Sequence, residues 1–540
     1  RNFKKIAIAN FCRVTPGLVL ANYLYLQGFA DLMPKPDSND AVIDLSLDTI
    51  RKSKQAIVFV NSKRSAEKVA EELARKLKDV DLHELSEKAL HALSKPTTQC
   101  ERLAFCLKRG VAFHHAGLVA KQRELVEDNF RSGRVRIIAA TTTLAMGVDL
   151  PAFRVIMRDV KRYTHLGYTH IPVLEYHQMV GRAGRPKYDS FGEAISIAAT
   201  ESEEEDIVER FIRGKPEPVY SKLAVEPVLR TYLLSLISSG FVSSRKEIVD
   251  FFSRTFWAFQ YKDMPRLSGI LDEMLHLLED WEFVASDALE FQSASELGNT
   301  RFKPTLLGKR VAELYLDPLT AHQFVVSLNQ AAQKAYQVFS FLQLVSNTLE
   351  MRPLLKARQR DFEKLQEAML RFELLQEEPS MFEPEYEDFL NSLKTALFMY
   401  DWAEEMDDQH LLKSYDVRPG ESRVKLDIAD WLLYSCHEIA RILNFRSLIK
   451  DLERARLRLR YGVKEELLPL VRFKNIGRVR ARMLFKNRIR DAGDVRKTDL
   501  TTLSQILGKQ VALSIKEQLD DVEKPVKKGK RKGQVSIEDY

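Results

Sequence analysis

Four short apolar runs, separated by segments with helical spacing, constrain the fold more than any other feature of this sequence. The runs are Ala56–Val60, Val111–Gly117, Val135–Thr141 and Glu193–Thr200. They show no alternation of polar and apolar residues, which is typical of strands that are covered on both faces. Because helical segments at 65–77 and about 121–132 separate them, we predict a parallel sheet flanked by helices. This α/β domain is expected to span residues 1–205.

Length, charge and cysteine content bound the remaining possibilities. With 540 residues the chain is too long for one hydrophobic core and predicts roughly three to five domains. Its formal net charge of +7 indicates a polyanionic partner only weakly, because basic faces are often merely solvated. No apolar run is long enough to cross a bilayer. The four cysteines lack the spacing of metal ligands or of a disulfide framework, which fits a cytoplasmic protein.

Polar and small residues follow the predicted strands at the places where parallel sheets collect their chemistry. In such sheets, ligands bind in the loops beyond the carboxyl ends of the strands. The residues at these places are Asn61, Ser62, Arg64, His115, Gly117, Thr141, Thr142 and Thr143. We expect them to lie along one edge of the sheet.

The segment 176–186, YHQMVGRAGRP, carries candidate phosphate-binding residues. Arg182 and Arg185 are three residues apart, so one helical turn aims both guanidinium groups the same way. A guanidinium is permanently charged and grips phosphate oxygens with a planar fork, as an arginine finger does in phosphoryl transfer. We expect both side chains to line an open cleft and not to turn against acidic residues. A basic solvated turn is the alternative interpretation.

Four motifs in sequence order resemble a known motor domain. They are NSKRSAEK, FHHAGL, ATTTLAMGVDLPA and QMVGRAGRP. Together they resemble the second RecA-like domain of superfamily-two helicases, and the last two are similar to its Ski-two-like branch. Over about 55–515 the chain resembles the archaeal DNA helicases of this branch, of the HelQ type. The resemblance implies an ATP-dependent helicase that moves 3′ to 5′ on forked or branched DNA in replication and repair.

The resemblance also implies roles for single residues. Those implied to face DNA are Asn61, Ser62, Arg64, His115, Gly117, Thr141, Thr142 and Thr143. Those implied to surround ATP are Gly147, Asp149, Gln178, Arg182 and Arg185.

Half of the ATP site is missing from this sequence. Neither a phosphate-cradling loop, GxxxxGK[ST], nor a magnesium-holding acidic motif occurs. Either a preceding motor domain was left off, which the start at Arg1 favours, or a separate subunit supplies it. We therefore expect ATP and Mg²⁺ to bind mainly outside this chain, no metal site within it, and no ATP hydrolysis by the chain alone.

The segment between the last two motifs predicts a β-hairpin. Its strands are expected over Val155–Tyr163 and Tyr168–Tyr176, with a turn through Gly167. The resemblance implies that this hairpin separates DNA strands, and a protruding hairpin can act as a wedge because unstacking a base step costs only a few kcal/mol. A plain surface hairpin is the alternative.

Downstream of the motor the pattern becomes helical. Helices at Lys222–Gly240, Arg245–Phe256 and Arg266–Trp281, followed by a short hairpin, predict a winged-helix domain over 215–312 that either binds DNA or braces the motor. A helical domain over 313–457 follows. The resemblance implies that one of its helices is a ratchet whose Trp431 stacks on a base, and ordinary core packing is the alternative. The family has an arginine two turns earlier, where this chain has Val424.

The C-terminal region carries two further motifs. Residues 463–485 predict a helix, a turn at 475–477 and a second helix, within a helix-hairpin-helix domain over 458–520. There the amides after Gly477, with Arg478, Arg480 and Arg482, would grip a DNA phosphate, a solvated basic turn being the alternative. The tail, 521–540, resembles a peptide that binds a PCNA-type sliding clamp, with one terminal aromatic residue where two are usual. Its contact residues would be Gln534, Ile537 and Tyr540.

The sequence thus predicts a multidomain, monomeric protein. Its fold class is an α/β RecA-like motor domain followed by a winged helix, a helical ratchet domain and a helix-hairpin-helix domain. Its partners are single-stranded and forked DNA and a sliding clamp, without a membrane. Two other functions stay open, an RNA helicase of the same superfamily and a non-catalytic DNA-binding subunit that lends its arginines to a partner motor.

Overall fold

The structure, a computed structural model, falls into two compact units. It describes residues 6–15, 18–20, 40–145, 149–164, 167–185, 189, 191–223, 225–287, 300–331 and 336–523. The first unit comprises residues 1–221 and 407–425, and the second comprises 222–406 and 426–540. The segment 407–425 therefore belongs to the first unit although it lies far from it in the sequence.

The first unit is built on a sheet that has seven strands within the described residues, in the order β2-β1-β9-β6-β3-β5-β4. The strands of this unit are β1 (Ile6–Thr15), β2 (Leu18–Leu20), β3 (Ala56–Phe59), β4 (Val111–His114), β5 (Ile137–Ala140), β6 (Arg154–Met157), β7 (Lys161–Thr164), β8 (Gly167–His170) and β9 (Phe191–Ala198). The pairs from β9 through β6, β3 and β5 to β4 are parallel, which confirms the predicted parallel sheet. Two antiparallel strands, β1 and β2, extend it beyond β9.

Helices cover this sheet. They are α1 (Ala41–Arg51), α2 (Lys63–Lys76), α3 (His83–Leu90), α4 (Thr98–Lys108), α5 (Ala120–Arg131), α6 (Val173–Val180) and α7 (Glu201–Ile207). Helix α2 begins directly after β3 because Ser62 caps it, its hydroxyl accepting a hydrogen bond from the Ser65 amide at 3.1 Å. The strands β3, β4 and β5 are buried along their whole length, as their apolar runs predict.

The predicted hairpin is correct in kind but wrong in its bounds. Residues Arg154–Met157 form the central parallel strand β6, and the hairpin is only β7 with β8. Its second strand ends at His170 because the chain then enters α6, with Pro172 at the N-cap of that helix. The hairpin is therefore short, with Tyr163 opposite Tyr168.

The second unit begins with helices and a small antiparallel sheet. Its elements up to residue 313 are α8 (Glu226–Ser238), α9 (Arg245–Ser253), α10 (Phe256–Tyr261), α11 (Met264–Asp280), β10 (Val284–Ser286), β11 (Phe302–Pro304) and α12 (Leu306–Glu313). A capping box of Ser244 and Glu247 starts α9. Helices followed by a two-stranded sheet agree with the predicted order of elements, and the winged-helix assignment itself stays a prediction.

The central helices follow. They are α13 (Pro318–Ala331), α14 (Val338–Ser346), α15 (Phe362–Arg371), α16 (Glu385–Ala403), α17 (Asp408–Tyr415), α18 (Pro419–Ile442) and α19 (Arg446–Tyr461). Of these, α17 lies in the segment that belongs to the first unit. Among the described residues, no helix combines the length and the apolar character needed to pass through a bilayer.

The last helices of the second unit enclose a small core of their own. They are α20 (Arg478–Lys486), α21 (Ala492–Lys497), α22 (Leu500–Leu507) and α23 (Lys509–Glu523). The predicted first helix of the helix-hairpin-helix is reduced to a single 3₁₀ turn, Glu465–Leu467. The left-handed residue of the turn is Asn475, with a φ of 67°, whereas Gly477 has an ordinary φ of −99°. The expectation that Gly477 supplies the tight turn is therefore wrong, since Asn475 supplies it.

Candidate nucleotide and nucleic-acid sites

The arginine segment is fastened to the sheet by its backbone. Helix α6, which carries the exposed Gln178, ends at Val180. The Gly184 amide then donates to the Ala152 carbonyl at 2.7 Å, and Ala152 donates to the Arg182 carbonyl at 2.9 Å. Gly184 has a φ of 94°, and a side chain on Gly192 would collide with the Gly184 backbone at 2.2 Å. The glycines therefore serve close packing at this point, and they fix where both arginines leave the chain.

Arg182 is held loosely. One terminal nitrogen donates to the Ala145 carbonyl at 2.7 Å, and the other lies 3.5 Å from the Asp149 carboxylate, which is 92% exposed. The buried Nε of Arg182 has no hydrogen-bond partner among the described residues. The side chain is 22% exposed, so the terminal nitrogens, and not the buried Nε, are the donors that an incoming oxygen atom would meet. Gly147, the other residue expected near the nucleotide, lies outside the described residues.

Arg185 turns inward against an acidic side chain, so the expectation of an open cleft is wrong for this residue. Its Nε donates to Asp189 at 2.7 Å, and a terminal nitrogen donates to the Gln55 side-chain carbonyl at 2.6 Å. Asp189 also accepts from Lys54 at 2.6 Å. Burial opposes ionisation of Asp189, but hydrogen bonds from Arg185 and Lys54 outweigh it and lower the pKa of the carboxyl. Asp189 follows Arg185 by four residues, and this spacing lets the two side chains form an ion pair. The motif itself ends before Asp189 and therefore does not reveal the pair.

The threonine loop follows β5 as predicted. The Thr141 amide donates to the His114 carbonyl at 3.2 Å, which ties the loop to β4. Residues Thr142–Leu144 form a 3₁₀ turn, and the hydroxyls of Thr141 and Thr143 lie 3.1 Å apart. Thr143 is exposed, and the other two threonines are partly exposed. The loop therefore presents hydroxyl groups at the edge of the sheet.

The first motif loop holds the segment 407–425. Arg64 donates to both carboxylate oxygens of Asp416, at 2.9 and 3.1 Å. Lys63 forms an ion pair with Glu421. The Asn61 amide donates to the Asp159 carboxylate at 3.2 Å. Of the residues predicted to face DNA here, Asn61 and Ser62 shape the turn into α2, and Arg64 is engaged by an acidic partner.

His115 and Gly117 are buried, so the prediction that they contact DNA is corrected. His115 is 0% exposed, and its Nε2 lies 3.2 Å from the Glu67 carboxylate. Its Nδ1 accepts from the Gly117 amide at 3.1 Å. Burial lowers the pKa of His115, because the protein interior disfavours the charged imidazolium. A side chain on Gly117 would lie 2.3 Å from Arg418 Cδ, which explains why the position needs glycine.

Glu67 and Arg418 are the residues that sequence reasoning missed. Arg418 donates its Nε to Glu67 at 3.0 Å, and Arg102 also pairs with this carboxylate. Burial opposes ionisation of Glu67, but hydrogen bonds from His115 and Arg418 and the nearby positive charges lower its pKa to about 2. A glutamate on the apolar face of α2 was the only available signal. Glu67 therefore anchors the segment 407–425 to the motor domain.

The hairpin presents two tyrosine rings to solvent. Tyr163 is 77% exposed and Tyr168 is 71% exposed. Their ring centroids lie 5.7 Å apart in an edge-to-face arrangement. An ion pair between Arg162 and Glu175, at 2.9 Å, ties the base of the hairpin to α6. Exposed rings on an anchored support can stack on bases.

Trp431 lies on α18 and is half-buried, not part of a closed core. Its indole N–H donates to the Leu314 carbonyl at 3.1 Å. Ser435 donates back to the Trp431 carbonyl at 2.9 Å. The ring therefore has a fixed orientation and keeps part of its surface accessible. Val424 on the same helix is exposed, and Arg423 lies 3.6 Å from Asp408.

The three arginines of α20 differ in their surroundings. Arg482 pairs with Glu405 and with Glu466, the latter at 2.9 Å, and these contacts raise its pKa above its usual range. Arg478 stacks 4.1 Å from the Trp402 ring centroid and donates to the Met406 carbonyl at 2.9 Å. Arg480 is exposed and donates to the Asn475 carbonyl at 2.7 Å. Arg480 is therefore the most accessible of the three. Arg482 instead stabilises the domain through its ion pairs with Glu405 and Glu466. The clamp residues Gln534, Ile537 and Tyr540 lie outside the described residues.

Two family descriptions match parts of this chain. "Helicase conserved C-terminal domain" matches residues 86–187, and "Archaeal helicase, domain 4" matches residues 339–462. The first match covers the threonine loop and the arginine segment, and the second covers the helix that carries Trp431. The first unit thus contains a RecA-like helicase domain, and the second contains a helical archaeal helicase domain.

Whole-chain relatives carry the name ATP-dependent DNA helicase Hel308. The relative from Pyrococcus horikoshii is 39% identical over 473 residues, which covers 86% of this chain and 64% of that protein. The relative from Methanococcus vannielii is 34% identical over 519 residues, with 88% and 68% covered. The relative from Caldivirga maquilingensis is 34% identical over 503 residues, with 89% and 65% covered. This chain therefore spans about two thirds of the length of these relatives, slightly less for those from Pyrococcus horikoshii and Caldivirga maquilingensis and slightly more for that from Methanococcus vannielii.

Proposed function

Because this chain belongs to the Hel308 family of archaeal helicases, we propose that it is the arginine-bearing part of an ATP-dependent DNA helicase. The family resemblance drawn from the sequence motifs is confirmed by these comparisons. The proposed reaction is ATP-driven movement, 3′ to 5′, along one strand of forked or branched DNA in replication and repair. The proposed partners of this activity are single-stranded and forked DNA.

The geometry of Arg182 carries the proposal. Its backbone is hydrogen-bonded to Ala152, just before β6, and its partly exposed fork is a donor to Ala145 that lies beside the exposed Asp149. Such a donor suits the charge that develops on a transferring phosphoryl group. Arg185, oriented by Asp189 and Gln55, would supply a second positive charge. Gln178, Gly147 and Asp149 would complete this half of the site, and ATP with Mg²⁺ would bind mainly to a motor domain that carries a phosphate loop.

A reconstituted ATPase tests this role. The chain would be joined to a motor domain that carries a phosphate-binding loop, and DNA-stimulated hydrolysis would be measured. Removing an arginine finger typically lowers kcat by about a thousand-fold or more, which is the result expected for Arg182→Ala. Arg213→Ala is the matched control, because Arg213 is an exposed arginine of the same unit that pairs with Glu209, four residues earlier. Equal activity of the two variants would remove the finger assignment.

We propose that the β7–β8 hairpin separates the strands. Its exposed Tyr163 and Tyr168 offer flat apolar surfaces to an unpaired base, and the Arg162–Glu175 ion pair resists bending. A wedge of this kind supplies part of the unstacking free energy through stacking. The threonines of the loop after β5, with Asn61, Ser62 and Arg64 after β3, would follow the backbone of the tracked strand.

The second unit would also bind the single strand. In this proposal Trp431 stacks on a base, and the amides after Gly477, with Arg478, Arg480 and Arg482, receive a phosphate. The accessible surface of Trp431 and the exposed Arg480 support these roles. Residues 215–312 would form a winged helix, and residues 458–520 a helix-hairpin-helix domain.

The C-terminal tail would dock on a sliding clamp. Gln534, Ile537 and Tyr540 would fill the side site and the apolar pocket that such clamps offer, while the protein itself acts as a monomer. Calorimetry with a PCNA-type clamp tests the assignment. Removal of residues 534–540 should abolish the binding heat, and an unchanged heat would refute it.

The choice of nucleic acid is tested on matched forks. DNA and RNA forks of the same sequence would be offered to the chain joined to a phosphate-loop motor domain. Preferential unwinding of DNA supports the proposal. Preferential unwinding of RNA would favour an RNA helicase, and binding of DNA without unwinding would favour a non-catalytic subunit.

A further inference from the structure

Tyr315 combines exposure with an unfavourable backbone conformation. The residue is 82% exposed and has a φ of 55°, in the left-handed region that a bulky side chain rarely adopts. Its neighbours Leu314 and Leu316 are only 7% and 1% exposed. The ring is therefore turned outward from a packed stretch of chain and does not belong to a loose loop. The residue ends α12, where the Leu316 amide donates to the Val311 carbonyl at 3.3 Å, and the left-handed residue at such helix ends is usually glycine or asparagine.

Tyr315 lies beside Trp431. The Trp431 indole N–H donates to the Leu314 carbonyl at 3.1 Å. This carbonyl belongs to the peptide bond that joins Leu314 to Tyr315. Standard peptide dimensions then place Tyr315 Cα within roughly 6 Å of the indole nitrogen. The backbone of the exposed Tyr315 thus lies directly beside the Trp431 ring.

The support beneath these rings is rigid. Arg310 of α12 donates to Glu438 at 2.8 Å and to the Tyr434 hydroxyl at 3.2 Å, both on α18. One helical turn after Arg310, the Leu314 carbonyl accepts the hydrogen bond from the Trp431 indole N–H. The two helices are therefore joined at two successive levels, and the Tyr315 backbone is fixed relative to Trp431.

We propose that Tyr315 is a second stacking residue for the bases of a single-stranded nucleic acid, next to Trp431. This inference rests on the proposed function in that Trp431 is taken to contact the strand. Every base has a flat π-face, so two adjacent rings can hold consecutive bases without reading their sequence. A translocating strand would then be held at two neighbouring bases by a platform that α12 and α18 share.

Binding of a fluorescent oligo-dT strand by the full chain tests the proposal. Tyr315→Ala and Tyr315→Leu should lower the affinity about ten-fold, while Tyr315→Phe, which keeps the ring, should stay within about two-fold. Tyr315→Gly should lower the affinity as alanine does and yet raise the melting temperature, because glycine relieves the left-handed strain. Tyr232→Ala is the matched control, an exposed tyrosine of the same unit, and should leave binding unchanged.

The outcomes separate this inference from the function on which it rests. Unchanged affinity for Tyr315→Ala and Tyr315→Gly, with weaker binding by Trp431→Ala, would overturn the role of Tyr315 alone. Unchanged affinity for all three variants would overturn the stacking role of Trp431 as well. Weaker binding by the Tyr315 variants alone would support Tyr315 and remove Trp431. Loss of affinity in Tyr315→Phe equal to that in Tyr315→Ala would assign the effect to the hydroxyl and overturn stacking.

Discussion

The polar motif residues of the first unit and the aromatic residues of the hairpin and of α18 differ in their surroundings. The polar side chains have partners within the protein, whereas the aromatic rings keep surface that solvent can reach. The partly buried Arg185 contacts the carboxylate of Asp189, the buried His115 contacts that of Glu67, and the more exposed Arg64 contacts that of Asp416. The rings of Tyr163 and Tyr168 stay mostly exposed. A buried or partly buried charge needs a counter-charge, whereas an aromatic ring on the surface costs comparatively little.

This difference separates stability from binding. Substitution of the charged residues removes ion pairs that hold the first unit together. Substitution of the exposed rings removes surface that only a ligand would cover. The following predictions test that separation, beginning with the largest expected effect.

Glu67→Ala should lower the free energy of unfolding by about 3–5 kcal/mol, because it leaves the largely buried Arg418 without its carboxylate. Urea denaturation measures the change. Glu72→Ala, on an exposed position of the same helix, should change it by less than about 0.5 kcal/mol. Similar losses of unfolding free energy in the two variants would show that Glu67 does not anchor the segment 407–425.

We also expect the stabilisation by the Glu67 carboxylate to depend on pH. The folded pKa of Glu67, about 2, lies below the ordinary value of 4.5, so its contribution is present above pH 4.5 and lost as the pH falls towards 2. The contribution is on the order of 3 kcal/mol. Stability curves of the wild type and of Glu67→Gln should therefore converge between pH 4.5 and 2. Parallel curves over this range would contradict the assignment.

Trp431→Ala should weaken binding of single-stranded DNA by about 1–3 kcal/mol while the chain stays folded. Trp402→Ala provides the contrast, because Trp402 is buried and donates its indole N–H to the Leu459 carbonyl at 2.7 Å. That variant should lose about 3–5 kcal/mol of stability. Anisotropy and thermal melting measure the two effects, and a large loss of stability in Trp431→Ala would favour core packing.

The double substitution of Tyr163 and Tyr168 by alanine should change stability by less than about 1 kcal/mol. It should abolish fork unwinding by the chain joined to a phosphate-loop motor domain and spare DNA-stimulated ATP hydrolysis. Tyr220→Ala, at another exposed tyrosine of the first unit, should leave both activities intact. Unwinding by the double variant at the wild-type rate would remove the wedge.

Gly477→Ala should have the smallest effect. The position has an ordinary φ, and an added side chain would meet open space. Stability should change by less than about 0.5 kcal/mol. Thermal melting measures it, and a loss above about 2 kcal/mol would mean that the turn depends on glycine after all.

Local patterns predicted the sheet, and distant contacts escaped them. The apolar runs at β3, β4, β5 and β9 were found because buried parallel strands need continuous apolar sequence. The strand β6 was assigned to the hairpin because Val155–Met157 has the same apolar character whichever neighbour it pairs with. Strand pairing depends on tertiary contacts that a local pattern does not contain.

The candidate site shows the same limit. Motif order singled out Arg182 and Arg185, but the open cleft expected for both is wrong for Arg185, which pairs with Asp189. The partner of Glu67, Arg418, lies 351 residues away in the chain, and no local signal joins the two. Sequence reasoning therefore found the loops and missed what each charged side chain contacts.

Hydrolysis of ATP in the presence of single-stranded DNA tests the central claim most directly. The purified chain alone should show none, and addition of a motor domain that carries a phosphate-binding loop should restore hydrolysis that Arg182→Ala abolishes. Hydrolysis by the purified chain alone, or restored hydrolysis that is indifferent to Arg182, would contradict the assignment of this chain to the arginine half of the ATP site.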